Sequence, residues 1–179
     1  MNNKKQAEAI KKYTRLTDYI SASQIFLRDN FFLDEELKEK DIKKRLLGHW
    51  GTCPGINFIY ANLNNLIIKH KQDFLLTVGV GHGFPAYQSN IFLEKTLTRF
   101  FPNKNTYDKK GLEEIIENFS TPYAYPSHLN PEAPGTILEG GELGYSLAVA
   151  TGTILDNKKV INAVVIGDGE AETGPLAAS

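Results

Sequence analysis

The fold is decided by residues 160–175, whose sequence is VINAVVIGDGEAETGP. An apolar, β-branched run ends abruptly at Gly167-Asp168-Gly169, and a Thr-Gly-Pro segment follows. This pattern predicts a buried strand, a tight loop and the start of a new helix. In a parallel α/β sheet such a loop lies at the carboxyl edge, where ligands bind and the N–H groups of a helix start attract anions. We therefore expect a phosphate-binding loop, with Asp168 holding a cation such as Mg2+ against the phosphates.

The alternative for the same residues is a hairpin turn, because Asp-Gly is among the commonest two-residue β-turns. The hydrophobic pattern of the preceding strand is continuous rather than alternating, which favours a parallel sheet buried on both faces. A hairpin also needs a second strand. The residues that follow, ETGP at 172–175, are poor material for one.

A second stretch has the same pattern. The short apolar run FLLTV at 74–78 passes directly into GVGHGFP at 79–85. Parallel strands of one sheet send their following loops out at the same edge, so we expect His82 and Asp168 to face one pocket. The prediction is an α/β fold with a parallel sheet flanked by helices. GVGHG lacks the spacing of a dinucleotide-binding fingerprint and gives that class little support.

The composition indicates a globular protein of one ordinary domain's length. The chain has 179 residues, 41% of them hydrophobic, and a formal net charge of -1. This is enough apolar material for a core and no basic excess for nucleic acid. No apolar run approaches the length of a membrane span, and the first residues, MNNKKQAE, lack the apolar core of a secretion signal. We expect a cytoplasmic protein that binds neither nucleic acid nor membrane.

Hydrophobic spacing predicts the remaining elements. Residues 6–28 form one amphipathic helix, or two joined near 21–23, and the charged run 34–45 forms a solvated helix face or a connector. Other predictions are helices at 56–70, 86–100 and 112–119 and a lysine-rich loop at 103–110. The segment 139–144 is expected to open a further helix whose apolar positions Leu143, Leu147, Ala150 and Ile154 face the sheet.

Three of the four histidines lie in loops rich in glycine or proline: His49, His82 and His128. Imidazoles held on tight loops around a pocket suit proton transfer near neutral pH and hydrogen bonding to phosphate or hydroxyl groups. For any one of them alone a structural hydrogen bond is the better interpretation, and the three together favour a site. No H-x-x-x-H or similar pair occurs, so the pattern does not favour zinc. His70 is expected at an exposed helix end.

Four glutamates surround the predicted phosphate loop: Glu139, Glu142, Glu170 and Glu172. Carboxylates near helix starts interact favourably with the helix dipole, which explains them without any function. A functional role is an equally good interpretation, and the residues alone leave the two open.

Six blocks of the sequence resemble those of phosphoketolases, which are thiamine diphosphate enzymes related to transketolase. They are GHWGT at 48–52, GINFIY at 55–60, GHG at 81–83, PSH at 126–128, EGGELGY at 139–145 and GDGEAETGP at 167–175. The resemblance covers residues 13–179 in the family's order. It implies an enzyme that uses inorganic phosphate to cleave xylulose 5-phosphate or fructose 6-phosphate to acetyl phosphate and an aldose phosphate.

The resemblance also implies roles for individual residues. Asp168 matches the Mg2+ ligand, and His49, His82 and His128 match active-site histidines that contact substrate. The residues matching the thiamine diphosphate site are Gly140, Gly141, Glu142, Leu143, Asp168, Gly169 and Glu170. The chain departs from the family at Val80 and Phe84, where Pro and Gly are usual, and at Leu138, where His is usual.

The sequence stops just as the helix after the Gly-Asp-Gly loop begins, so we expect the amino-terminal fragment of a longer enzyme. Residues 1–179 are assigned to a truncated diphosphate-binding domain, with 1–45 as its helical lead-in. The fragment alone is expected to be inactive, and the whole enzyme to be a homodimer or higher homo-oligomer. The alternatives are a fragment of a transketolase-like transferase and a non-catalytic remnant or interaction module.

Overall fold

The computed structural model describes residues 3–103 and 105–178. The elements in chain order are α1 (Asn3–Phe26), α2 (Cys53–His70), β1 (Phe74–Val78), α3 (Phe84–Leu93), α4 (Thr96–Phe100), α5 (Lys109–Glu117), α6 (Ser146–Ile154), β2 (Ile161–Val165), α7 (Asp168–Ala171) and α8 (Gly174–Ala177). Short 3-10 turns lie at Glu39–Asp41, Trp50–Thr52 and Gly81–Gly83. Met1 and Asn2 of the predicted lead-in, Lys104 of the lysine-rich loop and Ser179 lie outside the described residues.

The fold is α/β, with a two-stranded parallel sheet flanked by helices, as the sequence predicts. β1 and β2 pair in parallel, from Phe74 opposite Ile161 to Val78 opposite Val165. The hairpin alternative is wrong, because the residues after β2 form the short helix α7 and not a returning strand. Parallel pairing places the carboxyl ends of both strands, and the loops that follow them, at one edge of the sheet.

The core lies among helices α1, α2, α3 and α5, which contact one another. Its fully buried side chains include Ile20, Ile25, Ile56, Phe84, Ile115 and Ile116. Removing this apolar surface from water supplies the main driving force for folding this part of the chain. None of the helices within the described residues is both long and apolar enough to cross a membrane.

The predicted amphipathic helix α1 is a single helix, but part of its buried face is polar. Thr17, Ser21 and Gln24 are all buried. The Gln24 amide donates to the Pro85 carbonyl oxygen at 2.9 Å, and the Ser21 and Ser89 hydroxyls lie 3.0 Å apart. Leu16, an apolar residue of the same helix, is 44% exposed. The helix therefore packs on α3 through hydrogen bonds as well as apolar contacts.

Two helix predictions need correction. The helix expected at 86–100 breaks at Lys95, whose φ of 64° is left-handed, so α3 and α4 are separate. The segment 139–144 does not open a helix, since α6 begins only at Ser146. Gly144 has a φ of 101°, which a right-handed helix does not allow. Leu143 consequently lies outside the helix and is 43% exposed rather than facing the sheet.

The charged run 34–45 is a connector and not a helix. It contains only the 3-10 turn Glu39–Asp41, and it is held to the end of α1 by an antiparallel bridge between Leu27 and Ile42. The Asp41 carbonyl oxygen accepts a hydrogen bond from the Arg28 N–H at 2.7 Å. Backbone pairing therefore fixes this segment, because its charged side chains supply little apolar surface.

Candidate active site

The two loops that leave the carboxyl ends of β1 and β2 lie side by side. The ladder continues past the strands, since the Gly79 N–H donates to the Val165 carbonyl oxygen at 2.9 Å. A Cβ on Gly167 would lie 3.1 Å from a methyl group of Val80, so the loops are in contact. The prediction that both loops emerge at one edge is confirmed by the parallel register.

Two further loops are joined to this edge through backbone hydrogen bonds. The Leu129 N–H donates to the Gly81 carbonyl oxygen at 2.9 Å, and the Gly140 N–H donates to the Leu129 carbonyl oxygen at 2.8 Å. The backbones of Gly81 and Gly140 approach so closely that a Cβ on either would clash with the other. Glycine is needed at both positions because no side chain fits between the loops. This contact brings His82, His128 and the segment 139–143 together.

The three loop histidines form one cluster. The ring centroids of His49 and His82 are 4.5 Å apart, and those of His82 and His128 are 6.5 Å apart. His82 is the central and half-buried member, while His49 and His128 are exposed. The structure thus brings together the three histidines that the sequence analysis singled out, although 79 positions separate the first from the last.

The central ring of this cluster is biased toward its neutral form. Partial burial lowers the pKa of His82, and the neighbouring His49 and His128 lower it further, while the negative charge of Asp168 opposes these effects. A neutral imidazole carries one hydrogen-bond donor and one acceptor, so it can exchange hydrogen bonds with substrate oxygens near neutral pH. The effect of Asp168 also indicates that its carboxylate lies within electrostatic reach of the histidine cluster.

A contact that the sequence analysis did not single out holds His82 in place. The Thr52 hydroxyl oxygen lies 2.7 Å from His82 Nε2. His128 has a local partner instead, since its Nδ1 lies 2.9 Å from the Ser127 hydroxyl oxygen. Thr52 is 30 positions before His82, and nothing in its local spacing marks it as a partner, so only the tertiary structure identifies the contact.

The buried side chain of Glu170 links the segment before α6 to the loop that follows β2. It is only 1% exposed. Its carboxylate accepts hydrogen bonds from the N–H groups of Gly144 at 3.2 Å, Ser146 at 3.3 Å and Gly167 at 3.4 Å. A buried carboxylate is tolerated when such donors satisfy it. Its carboxylate oxygens therefore accept hydrogen bonds from the backbone, and the buried side chain holds the loops together.

Asp168 presents its carboxylate on the surface. It is exposed, and its Oδ1 accepts a hydrogen bond from the Gly169 N–H at 2.8 Å. No group of three His, Cys, Asp or Glu side chains in the described part of the chain is arranged to hold a metal ion. Mg2+ in phosphate sites is usually held by one or two carboxylates, with phosphate and water supplying the other ligands. A single exposed Asp168 fits that requirement.

The loop glycines next to Asp168 leave room for a ligand. A Cβ added to Gly169 would meet nothing within 4 Å, and one added to Gly141 would meet only the Glu139 carboxylate, at 3.5 Å. Both glycines are exposed, and their N–H groups donate to the nearby Asp168 and Glu139 carboxylates at 2.8 and 3.3 Å, so a diphosphate would replace these carboxylates as acceptor. Gly140 is buried by its contact with Gly81, while Glu142 and Leu143 are exposed at the same segment.

The three residues that depart from the phosphoketolase pattern all point into the protein. Val80, Phe84 and Leu138 are buried. The Phe84 ring stacks on Phe119 with a centroid distance of 6.3 Å. Val80 and Phe84 belong to the main apolar cluster, and the ring of His82, which lies between them in the chain, is next to those of the other two loop histidines.

A cavity of about 910 Å3 lies next to the 126–134 loop and is lined by Phe84, Gln88, Tyr125 and Pro134 among others. None of the three clustered histidines lines it, and neither does Asp168. We therefore place the candidate site at the sheet edge and not in this cavity.

Comparison with known proteins gives one family. The model of the XFP N-terminal domain matches residues 1–179. A probable phosphoketolase of Schizosaccharomyces pombe is 49% identical over 170 residues, which are 95% of this chain and 20% of that protein. A probable phosphoketolase of Nitrosospira multiformis is 51% identical over 170 residues, 95% of this chain and 21% of that protein. The chain spans about a fifth of the length of the curated relatives it matches.

Proposed function

This chain belongs to the XFP N-terminal domain family of phosphoketolases, a family of lyases, and from that premise we propose that it binds diphosphate and metal in a thiamine diphosphate-dependent phosphoketolase. One observation supports this most strongly. His82, with His49 and His128 beside it, and the Asp168 loop meet at the carboxyl edge of the parallel sheet. That edge is where ligands bind in α/β folds.

In the proposed reaction, the intact enzyme cleaves xylulose 5-phosphate, fructose 6-phosphate or both with inorganic phosphate. The products are acetyl phosphate, an aldose phosphate and water. Thiamine diphosphate, when bound, supplies the nucleophilic carbon and the electron sink that cleavage of a carbon–carbon bond needs. The residues of this chain bind that cofactor, orient the ketose phosphate and move protons at its oxygens.

Asp168 is proposed as the protein ligand of Mg2+, which neutralises the repulsion between the carboxylate and the diphosphate. Backbone N–H groups at accessible loop positions satisfy the remaining phosphate oxygens. Glu170 contributes by fixing the loops that carry the site, because its carboxylate accepts three backbone hydrogen bonds. The residues proposed to line the cofactor site are Gly140, Gly141, Glu142, Leu143, Asp168, Gly169 and Glu170.

His49, His82 and His128 are proposed as the catalytic residues that touch the substrate. Each of the three imidazole rings has its centroid within 6.5 Å of another's, which supports a role of all three in contacting the hydroxyl or carbonyl oxygens of one ketose. A hydrogen-bond donor fixed before the reaction stabilises negative charge that develops on such an oxygen. The remaining parts of the enzyme, in further domains and in a second subunit of a homodimer or higher oligomer, are proposed to complete the cofactor site.

The proposal predicts a separation of effects in the intact enzyme that contains this chain. His82→Ala should lower kcat on the order of 10²-fold, because a positioned proton-transfer group is lost, while thiamine diphosphate binding is largely kept. Asp168→Asn should first weaken Mg2+-dependent cofactor binding. Steady-state kinetics and cofactor titration measure the two effects. Asp156→Asn is the matched control, since Asp156 is an exposed carboxylate before the opposite end of β2.

The same assay separates the alternatives. Phosphate-dependent formation of acetyl phosphate supports a phosphoketolase, whereas transfer to an aldose acceptor without phosphate supports a transketolase-like enzyme. Failure of the intact protein to bind thiamine diphosphate supports a non-catalytic module and overturns the proposal. The 179-residue chain alone should form no acetyl phosphate from ketose phosphate, phosphate, Mg2+ and thiamine diphosphate.

A further inference from the structure

Thr52 stands directly behind the central histidine of the cluster. It ends the 3-10 turn Trp50–Thr52 and leads into α2. Its hydroxyl lies 2.7 Å from His82 Nε2, and no other hydrogen bond to this hydroxyl occurs within residues 3–103 and 105–178. Although Thr52 occupies the position before α2, its side chain makes no capping hydrogen bond to the helix. The Thr52 hydroxyl therefore has the His82 imidazole as its partner and does not cap the helix.

The contact decides which nitrogen of His82 remains for a ligand. Nε2 is taken by Thr52, and Nδ1 has no hydrogen-bond partner among the described residues. His49 and His128 flank the ring, and Asp168 is the acidic group that acts on it. The two flanking imidazoles and partial burial favour the neutral ring, which carries its single proton on one of the two nitrogens.

The Thr52 hydroxyl favours one position for that proton. The hydroxyl proton has no other acceptor in the described part of the chain, and the lone pair of His82 Nε2 is within reach. When the hydroxyl donates to Nε2, the ring proton must lie on Nδ1. The opposite arrangement, with Nε2–H donating to the hydroxyl oxygen, would leave the hydroxyl proton without a protein acceptor.

We propose that Thr52 is a positioning residue that holds His82 as the Nδ1–H tautomer, so that His82 presents a hydrogen-bond donor to a substrate oxygen. The ligand chemistry is a hydroxyl or carbonyl oxygen on a sugar phosphate, and this identification rests on the proposed function. A donor at Nδ1 stabilises negative charge that develops on the oxygen during bond cleavage. In this proposal Thr52 only fixes the His82 ring and does not itself transfer a proton.

The test uses the 179-residue chain with isotope-labelled histidine. Nitrogen NMR of the ring distinguishes the two tautomers of His82, and a pH titration gives its pKa. We expect the Nδ1–H form in the unmodified protein. Thr52→Val, which keeps the shape and removes the hydroxyl, should shift His82 toward the Nε2–H form. It should also raise the pKa of His82, because the hydrogen bond to the neutral ring is lost.

Thr52→Ser is the matched control, since it keeps the hydroxyl and should retain the tautomer. His70 in the same spectra is an internal control, because it is exposed at the end of α2 and should not respond. An unchanged tautomer in Thr52→Val overturns the proposal, and so does a lowered pKa of His82. A loss of folding in Thr52→Val is detected by the signals of the core methyl groups. In that case the titration of Thr52→Ala replaces it, with the same expected and contrary outcomes.

A second measurement links the tautomer to turnover. In the intact enzyme, Thr52→Val should lower kcat roughly tenfold with little change in KM for the ketose phosphate, and Thr52→Ser should restore it. The NMR result stands whether or not the intact enzyme forms acetyl phosphate, so failure of the proposed function and failure of this inference are distinguishable. Normal kcat in Thr52→Val together with a changed tautomer overturns the catalytic part of the inference.

Discussion

The part of the protein built on helices α1, α2, α3 and α5, called the helical region here, and residues 141–178 are stabilised in different ways. In the helical region, side chains such as Ile25, Ile56 and Ile116 are almost completely buried in one apolar cluster. Between 141 and 178 the buried residues are only Gly144, Ser146, Ala150 and Glu170. Leu155, by contrast, is 71% exposed. The first region is held by apolar packing and the second by hydrogen bonds and close backbone contacts.

The difference teaches how the candidate site is built. Two of its histidines are attached to the well-packed helical region. His49 precedes the turn that leads into α2, and His82 lies in the turn that leads into α3. Its diphosphate side belongs to the sparsely packed region and depends on Glu170 and the glycine contacts. Parallel strands are normally covered on both faces. The relatives are about five times as long as this chain, so they have further structure that can cover the corresponding surface.

The largest expected effect contrasts one aliphatic residue from each region. Ile116→Ala should lower the free energy of unfolding by about 2–5 kcal/mol, because it leaves a cavity in the core. Leu155→Ala should change it by less than about 0.5 kcal/mol, since the side chain is mostly in water. Urea unfolding monitored by circular dichroism measures both. Equal losses for the two variants would contradict the division into two regions.

The second prediction concerns the buried carboxylate that joins the site loops. Glu170→Gln keeps an acceptor for the N–H groups of Gly144 and Ser146 but places an amide donor near the N–H of Gly167. We expect a loss of about 1–2 kcal/mol, because hydrogen bonds to a charged group are replaced by weaker ones and one donor is left unpaired.

Amide hydrogen exchange locates this effect. The Gly144, Ser146 and Gly167 amides should exchange faster in Glu170→Gln, while amides of α1 and α5 keep their protection. Glu172→Gln is the control, because Glu172 is an exposed carboxylate two positions later. Equally faster amide exchange across the whole protein would mean that the two regions unfold as one unit. This result would contradict their separate stabilisation.

The smallest expected effect is a pH dependence confined to the helical region. The Lys43 ammonium donates to the carbonyl oxygens of Gln24 at 2.8 Å and Ile116 at 2.9 Å. Burial lowers the pKa of Lys43 to about 8, with a smaller opposing effect of Glu117. Between pH 8 and the pKa of the unfolded chain, the unfolded state binds more protons, so stability rises with pH.

From pH 8 to 10 we expect Lys43 to add about 1 kcal/mol or less to the free energy of unfolding, because the ammonium is still partly in water. The Cys53 thiol opposes this rise, since burial raises its pKa to about 11 and the folded state then binds more protons than the unfolded one above the ordinary pKa of a thiol. Above pH 10 buried tyrosines act in the same direction as Cys53, since burial raises the pKa of Tyr125 to about 12 and that of Tyr13 further. Lys43→Met should lack the Lys43 contribution, so its stability should rise less, or fall more, with pH than that of the unchanged protein. The same pH dependence in both proteins would show that Lys43 does not cause the effect.

The sequence by itself determined the α/β class, the two parallel strands and the loops that follow them. These features depend on short patterns, an apolar β-branched run ending at glycine, that constrain the backbone wherever they occur. The blocks around His49, His82, His128 and Asp168 likewise predicted the family, because each motif is local in the chain. Val80 and Phe84, where the chain departs from the family, are buried, and His82 between them lies in the histidine cluster.

Only the tertiary structure decided which residues pair across the site. The close approach of Gly81 and Gly140 and the contact of Thr52 with His82 join segments 59 and 30 positions apart, and no periodic pattern reports such distances. For Glu170 the sequence left open a helix-start carboxylate and a functional group, and packing buries its carboxylate among backbone donors. Gly144 keeps the segment 139–144 out of α6, since its φ of 101° lies outside the right-handed helical region and a Cβ there would clash with Thr173.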